Sequence, residues 1–157
     1  MRAGEHLEHR LESFRRGCAV KGLACTHQRQ VIYRVLASSD EHLTPETVYE
    51  RVRREIPSIS LATVYKSIKT FTAAGLLHEV SPLHESLRLD ANLDHHHHLI
   101  CLRCKSVTDL AAEALEPVRW KRRPPKGFRA VRSCIEILGL CPECAGQDVV
   151  EDFTHKK

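Results

Sequence analysis

Apolar residues recur every three or four positions through most of residues 5–75, which is the spacing of helices that bury one face. A short charged helix is predicted over residues 5–16. Three further helices each follow Thr or Ser side chains that can cap a first turn, and they are predicted over residues 26–37, 44–57 and 60–75. The buried face of the last one is expected to carry Leu61, Val64, Ile68 and Phe71.

Two short apolar runs, residues 77–80 and 87–90, follow these helices with turn chemistry at residues 81–82 between them, which is typical of a β-hairpin. The second run alternates, so Leu89 is predicted to face inward and Asp90 outward. Helices followed by a hairpin predict a winged helix-turn-helix.

The pattern changes from about His95, where strands are predicted over residues 96–102, 107–110 and 128–140 and a helix over residues 111–120. Three strands and one helix bury little apolar surface, so zinc and dimerisation are expected to complete that core. The expected fold is α+β, with a winged-helix domain, a hinge and a small α/β dimerisation domain over residues 1–90, 91–94 and 95–157.

The composition is that of an ordinary folded protein: 157 residues, 42% hydrophobic and 28% charged, with a formal net charge of +4. No apolar run approaches the ~20 residues that span a bilayer, and the charged first residues lack the apolar segment of a secretory signal. We therefore expect a cytoplasmic protein without a membrane partner.

Seven cysteines are many for a chain of this kind. Four of them form two C-x-x-C pairs, and such spacing lets both sulfurs of a pair reach one ion from a single tight turn. The pairs predict a structural Zn2+ site with the ligands Cys101, Cys104, Cys141 and Cys144. Redox dithiols or buried thiols are the alternative. The others, Cys18, Cys25 and Cys134, are expected to be small buried apolar residues.

Residues 95–98 are four consecutive histidines that run directly into the first cysteine pair. Alternate side chains of a strand share a face, so His96 and His98 are expected to point the same way. Two imidazoles on one face, with aspartates nearby in the sequence, favour a second metal site for iron, manganese or zinc. The alternative is a solvated polar turn.

The outer face of the helix predicted over residues 60–75 carries small hydroxyl side chains and lysines and no acidic group. Such a face can enter a major groove, because lysines reach phosphates or guanine edges and small methyl groups meet thymine methyls. Tyr65 lies at the flank of the buried arc, where a core role competes with a base contact. The candidate contacts to double-stranded DNA are Arg29, Ser60, Thr63, Tyr65, Lys66 and Lys69.

These motifs, in this order, resemble the ferric uptake regulator family of metal-dependent repressors over nearly the whole chain. The matching segments are residues 26–29, 60–65, 96–104 and 141–144. The resemblance implies a homodimeric repressor of AT-rich palindromic operators, which is not an enzyme and has no small-molecule substrate. It also implies a hinge metal that sets the angle between the two DNA-binding domains.

Carried over by position, the hinge ligands implied by the resemblance are His42, Asp90, His96, His98 and Asp109. Aspartate at both carboxylate positions resembles the peroxide-sensing branch of the family, whereas iron-uptake regulators usually have glutamate. In such sensors Fe2+ reacts with hydrogen peroxide and a ligand histidine is oxidised, here His42 or His96. The resemblance therefore implies Fe2+ or Mn2+ as the regulatory ion, with Zn2+ as an alternative.

One further metal site of the family would use His95, His97 and Glu116, but Ser133-Cys134 stands where that site needs a histidine. That site is therefore expected to be incomplete or absent.

The DNA-binding segments also depart from the family pattern at two positions. Ala24 replaces a basic residue used in the minor groove, with Lys21 as a candidate substitute, and Lys66 is basic as in iron regulators. A repressor of metal uptake that responds to iron or zinc is therefore the alternative. A non-haem iron enzyme with a two-histidine, one-carboxylate site and a purely structural zinc module are the rivals from other classes.

Overall fold

The computed structural model describes residues 3–80, 87–119, 121–122 and 124–146, with side chains described from residue 7 onward. The chain divides into two compact units, Met1–His95 and His96–Lys157. None of the helices in the described ranges is long and apolar enough to cross a bilayer.

Four helices form most of the first unit, and capping side chains set where three of them begin. Thr26, Thr44 and Ser60 each accept a hydrogen bond from the backbone N–H three residues further on, as predicted. The first helix is longer than predicted, and the third ends at Val52, before Pro57. The bounds are α1 Ala3–Val20, α2 His27–Ala37, α3 Pro45–Val52 and α4 Leu61–Ala73.

An aromatic cluster holds these helices together. The ring of Phe14 in α1 stacks on Tyr33 in α2 with centroids 4.0 Å apart, and it meets Phe71 in α4 edge to face at 5.1 Å. Val64, Ile68 and Phe71 are buried as predicted. Leu61 is 38% exposed, so its predicted burial is wrong, because the core covers α4 only from Val64 onward.

The β-hairpin of the first unit consists of β1 (His78–Val80) and β2 (Arg88–Asp90), which pair antiparallel. The predicted turn at residues 81–82 lies outside the described residues. Leu89 is buried as expected, but Asp90 is only 3% exposed, so its predicted outward orientation is wrong. An extra bridge between Leu43 and Leu89 lays the segment before α3 along β2 and places His42 against the Asp90 carboxylate, 3.9 Å away.

The second unit contains a three-stranded sheet in the order β4-β3-β5, with β3 antiparallel to β4 and parallel to β5. Its elements are β3 His96–Cys101, β4 Val107–Ala111, β5 Glu136–Gly139 and α5 Pro142–Ala145. Together the two units confirm the predicted α+β fold class.

Two predictions for the second unit are wrong. The helix expected over residues 111–120 is only a 3-10 turn, Ala112–Ala114, and residues 116–119 have no regular structure. Pro117 explains this, because proline has no backbone N–H to continue a helix. Trp120 lies outside the described residues. The long strand predicted over residues 128–140 is only four residues long, since β3 pairs with residues 136–139 alone.

Replacing Phe71 by alanine is expected to lower the free energy of unfolding of the first unit by about 3–5 kcal/mol, because the side chain is fully buried against Phe14 and Tyr33. Denaturant titration followed by circular dichroism measures the change. Val20→Ala is the control, since Val20 is 83% exposed. A Phe71→Ala midpoint equal to that of Val20→Ala would contradict this packing.

Candidate functional site

Four cysteine sulfurs converge at one end of the sheet in the second unit. Parallel pairing of β3 with β5 aligns Cys101 with Gly139, so the segment that follows each strand leaves the sheet at the same edge. Cys104 lies in the turn after β3, Cys141 is the residue before the first turn of α5, and Cys144 lies within α5. The structure therefore brings together all four cysteines of the two C-x-x-C pairs.

The geometry of this cluster fits a tetrahedral zinc site. The four sulfurs lie within 4.8 Å of one another, and those of Cys104 and Cys141 are 3.7 Å apart. A Zn–S bond of about 2.3 Å in a tetrahedron requires sulfurs about 3.8 Å apart. The donor set leaves no ligand position for a substrate, so a zinc ion here would have a structural role.

Polar contacts favour thiolate in the first pair. Burial opposes ionisation of Cys101, but backbone N–H groups of Cys141, Cys104 and Arg103 point at its sulfur and lower its pKa to about 6. A hydrogen bond with the Ser106 hydroxyl, 3.2 Å away, lowers the pKa of Cys104. Thiolates are the form that binds zinc, so the first pair is prepared for the ion.

In the second pair, Cys144 is protonated more readily than an ordinary thiol. Hydrogen bonding with Cys141 and, to a smaller extent, burial raise the pKa of Cys144 to about 12. Zinc binding would therefore displace the proton of this thiol, which makes zinc affinity depend on pH.

A second set of donors lies on the same strand β3, toward its start. His98 is directly opposite Asp109 of β4, and His96 shares its face two residues away. The Nε2 atoms of His96 and His98 are 3.0 Å apart, and the Asp109 carboxylate oxygen is 3.5 Å from the first and 4.0 Å from the second. Both rings are almost fully buried. Two imidazoles and a carboxylate form a donor set that suits iron, manganese or zinc.

His42 and Asp90 form a third group, within the first unit. The bridge between Leu43 and Leu89 brings them together, and Nε2 of His42 is 3.9 Å from a carboxylate oxygen of Asp90. Both side chains are buried, and the backbone N–H of Asn92 donates to the same Asp90 oxygen at 2.7 Å. The alternation pattern alone could not reveal this pair, because it assigned Asp90 to the solvent side of β2.

The candidate DNA contacts on α4 and at its N-cap fall into three sets. Ser60 and Thr63 bond to each other through their hydroxyls, 2.8 Å apart, so both serve the helix cap. Lys66 and Lys69 are exposed. The Tyr65 hydroxyl donates a hydrogen bond to Glu46 of α3, which lowers the pKa of that carboxyl and leaves the ring 42% exposed.

A groove of about 500 Å³ lies beside α4 and is lined by Lys21, Lys66 and Lys69 together with Leu23 and small side chains. Lysines on a concave surface suit a phosphate backbone. Arg29 lies elsewhere on this unit, half-buried, and its guanidinium donates to the backbone oxygen of Ala24 at 2.7 Å. Arg29 thus already has a local role at the start of α2.

The remaining cysteines differ from one another. Cys18 is fully buried and Cys25 partly buried, while Cys134 is exposed, so the prediction of a small buried residue is wrong for Cys134. Its sulfur is 3.5 Å from Nδ1 of His98, a contact that spacing along the chain could not indicate. This contact between Cys134 and His98 can be predicted only when the register of β3 and β5 is known. His97 belongs to the further family metal site that was expected to be incomplete or absent, and its Nδ1 accepts a hydrogen bond from the backbone N–H of Ile135.

A winged helix in one unit and metal-donor clusters in the other define a metal-responsive transcription regulator. The ferric uptake regulator family matches residues 20–138, and the chain belongs to this family. Its members are transcription regulators, so the enzyme hypothesis does not apply.

A relative agrees with this membership, and two solved structures have a similar fold. The chain is 32% identical over 140 residues to the peroxide-responsive repressor PerR of Staphylococcus aureus, which covers 89% of this chain and 95% of the relative. The fold is similar to the ferric uptake regulator of Helicobacter pylori, with a TM-score of 0.67, 22% identity and coverage of 91% and 96%. It is also similar to a zinc uptake regulator in complex with zinc and DNA, with a TM-score of 0.62, 22% identity and coverage of 88% and 95%.

Replacing Cys141 by serine is expected to weaken zinc binding by more than about 100-fold, because a hydroxyl replaces one of four thiolate ligands. Competition with a chromogenic chelator measures the affinity. Cys25→Ser is the matched control, since Cys25 lies in the first unit, outside the sulfur cluster. Equal zinc affinities in the two variants would rule out the four-sulfur site.

Proposed function

We propose that this protein is a dimeric, metal-dependent repressor that senses hydrogen peroxide through oxidation of a ligand histidine at a ferrous hinge site. The observation that carries the proposal is the split donor set: His42 and Asp90 meet in one unit, and His96, His98 and Asp109 meet in the other. The proposal assigns all five to one regulatory ion. Residues 1–90 are then the DNA-binding domain, 91–94 the hinge and 95–157 the zinc-containing dimerisation domain.

A metal shared in this way would act as a conformational clamp. Two half-sites on DNA must be met at one separation and angle by the two winged helices of a dimer. An ion that binds only the DNA-competent arrangement stabilises it by RT ln(1 + [M]/Kd), about 2.7 kcal/mol at a hundredfold excess over Kd. That is enough to change operator occupancy about a hundredfold when the competent arrangement is the minor one.

Dimerisation is supported by the apolar surface of the second unit. Among its described residues only Ile100, Cys101, Val107 and Cys144 are buried apolar side chains. Leu99 and Ile137 are paired neighbours on β3 and β5, and each is about two-fifths exposed. A sheet with so small a core and so apolar a face gains stability by burying that face against a second copy.

The proposed partner is an AT-rich palindromic operator, read in the cytoplasm, where a regulator of bacterial type meets its DNA. Lys66 and Lys69 on α4, with Lys21 in the same groove, would contact phosphates or base edges. Ser60, Thr63, Tyr65 and Arg29 complete the proposed surface. Ser60 and Thr63 cap the helix that carries Lys66 and Lys69, Tyr65 joins that helix to Glu46 of α3, and Arg29 donates to Ala24 at the start of α2.

The five donors fit Fe2+ or Mn2+, since oxygen and nitrogen ligands suit both and Zn2+ as well. An Fe2+ ion held there would start cleavage of the peroxide O–O bond by giving one electron that the histidine ring then returns, so that in total one peroxide oxygen is added to the ring and the other leaves as water. The residues of this chain hold the ion and restrict access to it, because the rings of His42, His96 and His98 are all buried. Oxidation of His42 or His96 removes one ligand, so the arrangement that fits DNA is no longer favoured.

A metal-uptake repressor that does not sense peroxide is the second candidate, and Lys66 favours it, because a basic residue at this position resembles iron regulators. The same site would then report the concentration of iron or zinc. The response to peroxide separates the two functions.

His42→Ala or Asp90→Ala is expected to lower metal-dependent operator affinity by about a hundredfold while leaving the zinc content unchanged. Gel shifts on an AT-rich palindrome with and without Mn2+ measure the effect. His9→Ala is the control, since His9 is exposed on α1. If both variants kept the full metal response, the assignment of His42 and Asp90 to the regulatory site would be wrong.

Peroxide treatment of the Fe2+ form is expected to add about 16 Da, one oxygen atom, to a peptide containing His42 or His96 and to release DNA. The Mn2+ form should show neither change. Mass spectrometry of digests and gel shifts on the same samples give the two readouts. DNA binding by the Fe2+ form that survives peroxide would instead support the metal-uptake repressor.

A further inference from the structure

The segment just before β5 places a thiol beside the histidine pair of β3. In the parallel register His98 is aligned with Glu136, and the backbone N–H of His98 donates to the Ile135 oxygen at 3.0 Å. Cys134 is two residues before Glu136 and so lies beside the start of β3. Its sulfur is 3.5 Å from Nδ1 of His98 and 3.8 Å from the backbone oxygen of His96.

The two ring nitrogens of His98 therefore face different groups. Nε2 points toward Nε2 of His96, at 3.0 Å, and toward the Asp109 carboxylate, at 4.0 Å. Nδ1 points toward the thiol of Cys134. A neutral imidazole carries one proton, so a ring that binds a metal through Nε2 must keep its proton on Nδ1.

A thiol can form hydrogen bonds with both of its neighbours, the His98 ring and the His96 backbone oxygen, at once. Its sulfur can accept an Nδ1–H of His98 while its S–H donates to the backbone oxygen of His96. These two hydrogen bonds fix the tautomer and the ring plane of His98 and connect them to the backbone of His96. Metal-bound histidines usually give their second N–H to a carboxylate or a carbonyl, and here a sulfur occupies that position.

We propose that Cys134 is a positioning residue for the regulatory site, which holds His98 with Nε2 directed at the metal and Nδ1 protonated. This inference rests on the proposed function, because it assigns His98 to the regulatory ion. Loss of an outer hydrogen-bond partner of this kind typically lowers metal affinity 10- to 100-fold.

The test uses full-length protein with Zn2+ in the four-sulfur site and Co2+ as the probe for the regulatory site. Absorbance titrations give the Co2+ affinity of the wild type, Cys134→Ala, Cys134→Ser and the control Cys25→Ala. The expected result is a 10- to 100-fold weaker affinity for Cys134→Ala, wild-type affinity for Cys25→Ala, and recovery to within about threefold for Cys134→Ser, whose hydroxyl also accepts and donates.

A second readout needs no variant. Nitrogen-15 NMR of the wild type reports the protonation of each ring nitrogen, and His98 should carry its proton on Nδ1 before metal is added. The Nε2–H tautomer would overturn the inference even if Cys134→Ala failed to fold.

Two further outcomes would also overturn it. Equal Co2+ affinity for Cys134→Ala and wild type would show that the thiol does not position His98. A sulfur-to-cobalt charge-transfer band that disappears in Cys134→Ala would show that Cys134 is itself a ligand. Both leave the proposed function standing. Absence of saturable Co2+ binding by the wild type would instead refute the regulatory site and this inference together.

Discussion

The parallel pairing of β3 with β5 is the constraint on which the chemistry of the second unit depends. At one end it aligns Cys101 with Gly139, so that two turns bring four sulfurs together. At the other end it lays the segment before β5 along His96 and His98. A shift of one residue in this register would separate the sulfurs and move Cys134 away from the imidazole, because side chains alternate between faces.

In the first unit, a shorter pairing between two segments also brings chemically active side chains together. A single bridge between Leu43 and Leu89 joins the start of α3 to the hairpin, and this bridge accounts for the proximity of His42 and Asp90. The same unit holds α4 through the aromatic cluster and through the hydrogen bond from Tyr65 to Glu46. The proposed metal donors His42 and Asp90 and the exposed lysines are thus attached to one packed core.

Local sequence signals predicted the features that depend on neighbouring residues. The caps at Thr26, Thr44 and Ser60 and the C-x-x-C pairs are decided within a few positions, and the structure has them where they were expected. The wrong predictions concern features that depend on contacts between segments distant in the sequence or on a helix-breaking residue. Alternation in β2 could not anticipate the chain that covers Asp90, and composition favoured a helix that Pro117 prevents.

The contact between Cys134 and His98 is the feature that the sequence alone could least predict. Its spacing relates it to no other cysteine, and the strand predicted over residues 128–140 offered no means of deciding which neighbour it would meet. Only the register between two strands almost forty residues apart along the chain determines its contact with His98. Family resemblance did not supply the contact either, since the resemblance assigned that position to a histidine of another site.

The two units have hydrophobic cores of different size, and this difference affects how the protein unfolds. The continuous apolar cluster runs from Leu11 to Ala91, entirely within the first unit, whereas the second relies on a few side chains and its sulfur cluster. Cooperative melting as one body is therefore not expected of the monomeric chain. Heating in the presence of a chelator should melt the sheet first and leave the helical part folded, so a single calorimetric midpoint would not describe this molecule.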